Sequence, residues 1–357
     1  MSILDDVDQI RTFDPANMYN SIFDFPEQIA DALKVGKLWQ LNPSEFLGIK
    51  NIVVIGMGGS AIGAELLRSF LSTRLLVPFD ICRHYVLPEY VDDETLVIAS
   101  SYSGNTEETL SAIDDAIKRK AMLVAISTGG LLGDLAKLND IPLAKLPTGL
   151  QPRAALGYSF VPLLVFFEKI GLVKKIVKEI EHASAALQKY RDKYIEDNDT
   201  TLNPAKLLAE KMHQKVVIIY TGPTLTDAVG LRWKGQLCEN SKNMSYTNQF
   251  SEFNHNELVA WSETIEQHKD HLMVVILRDM DDHTQIRQRM NIAKDIIQSR
   301  EVEVIDVHSR GERPLERMLS LVQLGDFVSY YLAILNKVDP TPVNVIEAMK
   351  QALKNSR

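Results

Sequence analysis

Two short loops rich in glycine and hydroxyl side chains hold the residues best suited to bind an anion. The first, Gly56-Met-Gly-Gly-Ser-Ala-Ile-Gly63, follows the apolar run Asn51-Ile-Val-Val-Ile55. The second, Ser100-Ser-Tyr-Ser-Gly-Asn-Thr-Glu107, follows Thr95-Leu-Val-Ile-Ala99. In each, a strand is expected to hand over to a helix. Glycine lets backbone N–H groups turn toward an anion, and the following helix adds the positive end of its dipole. Ser101, Ser103 and Thr106 add hydroxyl donors. The pair suits a compact phosphate, so the expected ligand is a phosphorylated metabolite. Gly56-x-Gly58-x-x-Ala61 also fits a dinucleotide fingerprint, with Asp80 at the end of the second strand where a ribose-binding acid would stand. A dinucleotide domain does not need the Ser-x-Ser-Gly-x-Thr loop after the next strand, and that loop favours the phosphate reading.

The elements that must position these loops are legible as alternation. Residues 1–45 read as a helical preface, with helix-spaced apolar positions in Met18–Ile22 and Pro26–Leu33. From 50 to 147 the apolar strands 51–55, 75–82, 95–99, 122–126 and 142–146 alternate with helices near 61–72, 107–118 and 131–138. Such runs predict a parallel sheet covered on both faces. A long apolar helix is expected to about residue 170, and a charged connecting helix over Lys174–Glu196. The alternation then restarts with strands at 216–220, 272–277 and 302–307 and with helices to about 241 and near 284–299 and 315–335. The halves resemble a degenerate duplication. They differ at the loop after Leu272–Leu277, which reads Arg278-Asp-Met-Asp-Asp-His283. It is acidic and lacks a serine cluster, so one phosphate site per chain is expected, in the first half.

Composition bounds the function classes. The chain has 357 residues, 45% hydrophobic and 24% charged, which allows two globular domains of ordinary size. A formal net charge of −8 argues against a nucleic-acid partner, which needs a basic face, but not against a single phosphate held by local dipoles. No apolar run is expected to reach the ~20 residues that cross a bilayer, so no membrane partner is expected. The acidic start, Met1–Asp8, does not read as a signal peptide. Cys82 and Cys238 are the two thiols, which points to a reducing, cytoplasmic setting. No Cys/His cluster has metal-ligand spacing, and the Asp279–Asp282 run reads as a solvated turn.

Ser101-Tyr-Ser-Gly-Asn-Thr106 resembles the phosphosugar-binding motif of the SIS (sugar isomerase) domain, and the tandem plan resembles the phosphoglucose isomerase superfamily. Further motifs resemble the bifunctional phosphoglucose/phosphomannose isomerase branch. They are Gly56-Met-Gly-Gly-Ser60, Pro147-Thr-Gly-Leu-Gln-Pro-Arg-Ala-Ala155, Arg232-Trp-Lys…Glu239-Asn-Ser-Lys242 and Glu252-Phe-Asn-His-Asn-Glu257. The resemblance runs from the Asn17-Met18 region to the last helix. It implies an α/β fold of two tandem SIS domains, each a doubly wound five-stranded parallel sheet flanked by helices. The implied division is a helical segment at 1–45, a phosphate-binding domain at 46–172, a connecting helix at 173–203, a second domain at 204–338 and a C-terminal helix at 339–357. It also implies a homodimer with a shared active site.

The implied reaction interconverts a hexose 6-phosphate, glucose and by resemblance also mannose, with fructose 6-phosphate. Three things are required: a proton donor to open the ring, a base that moves a proton between C2 and C1 through a cis-enediol, and a positive group for the enediolate. By resemblance Glu239 is the base, and a carboxylate with pKa about 4.3 in water is ionised at neutral pH. His255 matches the ring-opening histidine, contributed in the family by the neighbouring subunit, and Lys350 aligns with the lysine that assists it. Arg153 matches the arginine that stabilises the enediolate, a role suited to a permanently charged planar guanidinium. The phosphate is expected on Ser60, Ser101, Ser103 and Thr106, with Gly58 and Gly59 allowing close backbone approach. Glu107 is expected to serve the helix N-terminus. This chemistry needs no metal or organic cofactor. A non-catalytic phosphosugar-binding regulator would also explain both loops, and an NAD-dependent dehydrogenase would explain the first.

Overall fold

The computed structural model describes residues 2–356. Among the described residues, nine strands form two parallel sheets. The first contains β1 (Asn51–Ile55), β2 (Phe79–Cys82), β3 (Thr95–Ser100), β4 (Met122–Ser127) and β5 (Leu143–Lys145), in the order β2-β1-β3-β4-β5. The second contains β6 (Val216–Thr221), β7 (Ser245–Gln249), β8 (Leu272–Arg278) and β9 (Glu303–His308), in the order β7-β6-β8-β9. In both, the chain leaves its first strand to one side and then crosses to the other. The switch points therefore fall between β1 and β3 and between β6 and β8, where open α/β sheets bind ligands at their carboxyl ends.

The helices are α1 (Val7–Thr12), α2 (Met18–Phe23), α3 (Phe25–Leu38), α4 (Gly58–Leu71), α5 (Glu107–Lys118), α6 (Gly130–Leu138), α7 (Leu156–Lys169), α8 (Ile176–Arg191), α9 (Pro204–Met212), α10 (Asp227–Glu239), α11 (Thr284–Gln298), α12 (Pro314–Leu335) and α13 (Asn344–Asn355). Strand alternation divides the core. Ile52, Val54, Leu96 and Ile98 face a central core that also takes Val217, Ile219, Met273 and Val275 from the second sheet. Val53, Ile55, Val97 and Ala99 face a separate cluster beneath α5 and α6. Tyr220, Val274 and Ile276 do the same beneath α11. Helices α3, α7, α8 and α12 fill the space between the sheets, so one continuous apolar core joins the halves. The stretch expected to connect domains, now α8, packs on α3 and α12.

Three expectations need correction. The second sheet has four strands, not five. After β9 only residues 309–313 precede Pro314, the first residue of α12, so the chain has no length left for the helix and strand that follow β4 in the first half. The strand expected at 75–82 begins only at Phe79. Finally, α12 is 22 residues long and apolar enough to cross a membrane by composition, yet 94% of its apolar window is buried inside the protein. It is the core helix, and it carries the buried Arg317, Asp326 and Ser329.

Candidate active site

At the first switch point, α4 begins at Gly58, directly after β1, and α5 begins at Glu107, after the serine loop. The two loops are joined: the Tyr102 N–H donates to Ser60 Oγ at 3.1 Å. Ser101 Oγ and Thr106 Oγ1 share a hydrogen bond of 2.9 Å, and the Gly104 N–H donates to Ser101 Oγ at 3.1 Å. Ser60 and Ser101 are buried, Thr106 is half-buried and Ser103 is exposed at the rim. The buried hydroxyls therefore fix the loop, and Ser103 stands at its open face. The Tyr102 hydroxyl donates to Pro147 O and accepts from the Leu150 N–H, which ties the loop to the segment leading to Arg153.

Gly59 explains how that arginine comes close. A Cβ at Gly59 would lie 2.6 Å from Pro152 O and 3.0 Å from the Arg153 nitrogen. Only glycine lets the first turn of α4 touch the 152–154 turn. Arg153 is 4% exposed. Its Nε donates to Asn240 Oδ1 at 2.6 Å, and its Nη2 donates to Pro340 O and Thr341 O, each at 2.7 Å. Its Nη1 faces Glu239 Oε2 at 3.7 Å. Burial lowers the guanidinium pKa from its usual value, Glu239 opposes that shift and Arg232 reinforces it.

Glu239 is the last residue of α10 and its side chain is 33% exposed. It opens into a cleft of about 180 Å3 lined by Gly58, Gly59, Arg83, Arg153, Arg232, Lys234 and Glu239, with Ala61, Ile62, Leu231, Gly235 and Gln236 completing the wall. Residues from both halves thus meet in one cleft, where Arg83 is paired with Glu65 at 2.7 Å, Arg232 with Asp326, and Arg153 faces Glu239. Guanidinium and ammonium donors that line a cleft suit a small anion. Arg232 is anchored from behind by the buried Asp326, through Nε at 3.1 Å and Nη2 at 2.6 Å, and its Nη2 also donates to Arg153 O.

Of the expected phosphate residues, Gly58 and Gly59 line this cleft and Ser60, Ser101, Ser103 and Thr106 do not; the other expected residues lie elsewhere. His255 ends a short 3-10 turn, Glu252–His255, and Lys350 is on α13; both are exposed and neither lines the cleft. Asp80 sits within β2, exposed, and accepts a hydrogen bond from the Tyr90 hydroxyl at 2.9 Å. Among the described residues no group of three or more His, Cys, Asp or Glu could hold a metal. Sequence reasoning gave no role to Arg83, Arg232 or Asn240. Arg83 follows the last residue of β2, at the carboxyl edge where such sheets bind ligands, and that position was its available signal.

The second switch point is built differently. The Asp279–Asp282 run is not the solvated turn expected: Asp279 and Asp282 are each 5% exposed, held by hydrogen bonds within the protein, and Asp282 Oδ2 accepts from the Asp279 N–H at 2.8 Å. A Cβ at Gly222 would lie 2.5 Å from Asp282 Oδ1, so this carboxylate packs directly on the turn after β6. Burial pushes the Asp282 carboxyl up to about 6. Asp279 accepts from Arg317 Nε at 2.9 Å and from the Ser309 hydroxyl at 2.6 Å, and Arg317 also binds Asp281.

Residues 201–353 match the family model for the bacterial phospho-glucose isomerase C-terminal SIS domain. A bifunctional phosphoglucose/phosphomannose isomerase from Caldicellulosiruptor bescii is 46% identical over 336 residues, covering 94% of this chain and 98% of that one. Proteins of the same name from Thermoplasma acidophilum and Aquifex aeolicus are each 34% identical, over 85% and 88% of this chain and 89% and 94% of theirs. Among solved structures, a hypothetical protein from Thermus thermophilus superposes with a TM-score of 0.74 at 15% identity, covering 94% of this chain and 89% of that one. A glucose-6-phosphate isomerase like protein from the same organism gives 0.59 at 17% identity, covering 95% and 98%. These structural likenesses speak to the fold. With 46% identity along nearly its whole length, the chain belongs to the bifunctional phosphoglucose/phosphomannose isomerase family.

Proposed function

We propose that this protein is an aldose–ketose isomerase that interconverts glucose 6-phosphate and mannose 6-phosphate with fructose 6-phosphate. The observation that carries the reading is the meeting of Gly58 and Gly59, at the start of α4, with the Glu239–Arg153 pair in one cleft, while the hydroxyl-rich loop is joined to that same turn through Ser60 and Tyr102. The phosphate rests on Ser60, Ser101, Ser103 and Thr106 and on the backbone of Gly58 and Gly59 at the start of α4. Glu239 takes the C2 proton of the open-chain aldose and returns it at C1, passing through a cis-enediol. Arg153 holds the developing enediolate oxygen with a fixed charge in a buried setting. The product is the ketose, with no net gain or loss of electrons, and proton transfer suffices without a cofactor.

Ring opening needs a donor at the ring oxygen, and His255 with Lys350 fills that role from a second copy of the chain. Two features support the shared site. His255 is exposed in a single chain. Helix α13, which bears Lys350, has no buried residue and presents Val345, Ile346, Met349 and Leu353 as an exposed apolar stripe. Burying such a stripe against a partner favours association. The two sheets then correspond to two tandem SIS domains, at 46–172 and 204–338, with 1–45, 173–203 and 339–357 as helical additions. The free thiols of Cys82 and Cys238 fit a cytoplasmic setting.

A coupled assay that follows glucose 6-phosphate formation from fructose 6-phosphate, with and without a chelator, tests the function. Glu239→Gln is expected to lower turnover ~10²-fold or more while substrate still binds. Retention of most turnover would remove Glu239 as the base. Mixing His255→Ala and Glu239→Gln proteins tests the shared site. Recovery of up to about half the activity per dimer is expected, because one site then carries both lesions and the other neither. No recovery after verified subunit exchange would place both residues in one chain.

A further inference from the structure

The cleft residues do not orient themselves, and the polar contacts around Arg153 can be counted donor by donor. A guanidinium has five N–H groups: one on Nε and two on each Nη. Asn240 Oδ1 takes the Nε hydrogen, and Pro340 O and Thr341 O take the two on Nη2. The two that remain are both on Nη1, the nitrogen facing Glu239 and the cleft. Which edge of the guanidinium meets substrate is therefore set by what holds Nε and Nη2.

Asn240 is fully buried, immediately after the proposed base, as the C-cap of α10. Its amide orientation is dictated from behind. Ser329 Oγ spends its single hydrogen on Asp326 O at 2.8 Å, so it can only accept from Asn240 Nδ2, at 2.9 Å. That turns Asn240 Oδ1 toward Arg153. An aspartate here would have the same shape, but it would neutralise Arg153 and set a second carboxylate beside Glu239.

We infer that Asn240, fixed by Ser329, is a positioning residue that locks Arg153 with Nη1 as the edge presented to the enediolate. The inference rests on the reading of Arg153 as the enediolate stabiliser. Asn240 touches neither substrate nor reacting atoms and acts through the arginine. It is neutral because the guanidinium charge must remain available to the cleft, where it acts on the transition state and not on the bound sugar phosphate. Loss of the lock should therefore appear in kcat and leave KM nearly unchanged.

The test is steady-state kinetics on fructose 6-phosphate across pH for Asn240→Asp, Arg153→Ala and the double variant, with folding checked by thermal melts. Asn240→Asp is expected to lower kcat by ~10–100-fold, with KM changed by less than ~3-fold. Its pH–rate profile should change shape, because the cleft gains a second titrating carboxylate. The double variant should be no worse than Arg153→Ala alone, since a residue acting through another adds nothing once that other is gone. If Asn240→Asp does not fold, Ser329→Ala substitutes: it leaves Asn240 in place but frees its amide to turn. A ~3–10-fold loss in kcat is then expected, again absent in the Arg153→Ala background. An impaired Arg153→Ala enzyme beside a fully active Asn240→Asp enzyme, or additive losses in the double variant, would overturn the inference and leave the reading of Arg153 standing. A fully active Arg153→Ala enzyme would instead overturn the reading of Arg153, and the inference with it.

Discussion

The two switch points share a topology and oppose each other in charge. Between β1 and β3, the strand ends lead into Gly58–Ser60 and Ser101–Thr106, a setting of N–H groups and hydroxyls in which Gly58 and Gly59 share a cleft with Arg83, Arg153 and Arg232. Between β6 and β8, the same place is filled by the chain itself. Asp282 packs against Gly222, and Asp279 is held by Arg317 from α12. One crevice is built to receive an anion, and the other contains its own. A parallel sheet supplies the location of a site, and the loop chemistry at the strand ends decides whether it is open to ligand.

Breaking the internal arrangement of the second crevice should have the largest effect on stability. Arg317 and Asp279 are 3% and 5% exposed. Arg317→Met leaves Asp279 buried without its cation, and chemical denaturation is expected to show a loss of about 3–5 kcal/mol. A loss below about 1 kcal/mol would mean that the carboxylate finds another partner and that the two crevices differ less than their charges indicate.

Giving the first crevice the charge of the second should close it to phosphate. Ser103→Asp sets a carboxylate at the exposed rim of the loop, where like-charge repulsion costs about 2 kcal/mol at an effective dielectric constant near 20. KM for fructose 6-phosphate should rise roughly 30-fold with the melting temperature preserved. An unchanged KM would move the phosphate away from this loop.

Removing charge from the second crevice should help stability slightly and leave catalysis alone. Burial raises the folded-state pKa of Asp282 from 3.8 to about 6. The group therefore contributes stability below pH 3.8 and loses it as pH rises through about 6. Asp282→Asn should be more stable by about 1–2 kcal/mol at pH 7, part of the gain being offset by a weaker acceptor for the Asp279 N–H, and should lose that advantage near pH 4. A stability difference that does not vary between pH 4 and 7 would contradict the buried-carboxylate description.

Much of this comparison was legible in the sequence because glycine, serine and aspartate act through their own loops. The Gly56–Gly63 and Ser100–Glu107 loops and the acidic 278–283 loop lie where strand-to-helix alternation puts them. Strand β7 was not legible. Ser245-Tyr-Thr-Asn-Gln249 is a polar edge strand held by its ladder to β6 rather than by an apolar pattern. The missing fifth strand could be found only by counting the residues between β9 and α12. Arg83 and Asn240 were hidden for another reason. Their roles depend on contacts 87 residues apart in sequence for Arg153–Asn240, and on a cleft closed by two halves of the chain. Family resemblance points to Glu239 and Arg153, but their 3.7 Å approach is tertiary information that neither local motif contains.

The most direct test of the open-and-filled contrast is calorimetric titration of the Glu239→Gln protein with fructose 6-phosphate, in which binding is separated from turnover. One site per chain is expected. Adding Ser103→Asp should weaken it by at least about tenfold, and adding Asp282→Asn should leave both affinity and stoichiometry unchanged. Two sites per chain, or binding that survives Ser103→Asp intact, would contradict the assignment of the sugar phosphate to the first crevice.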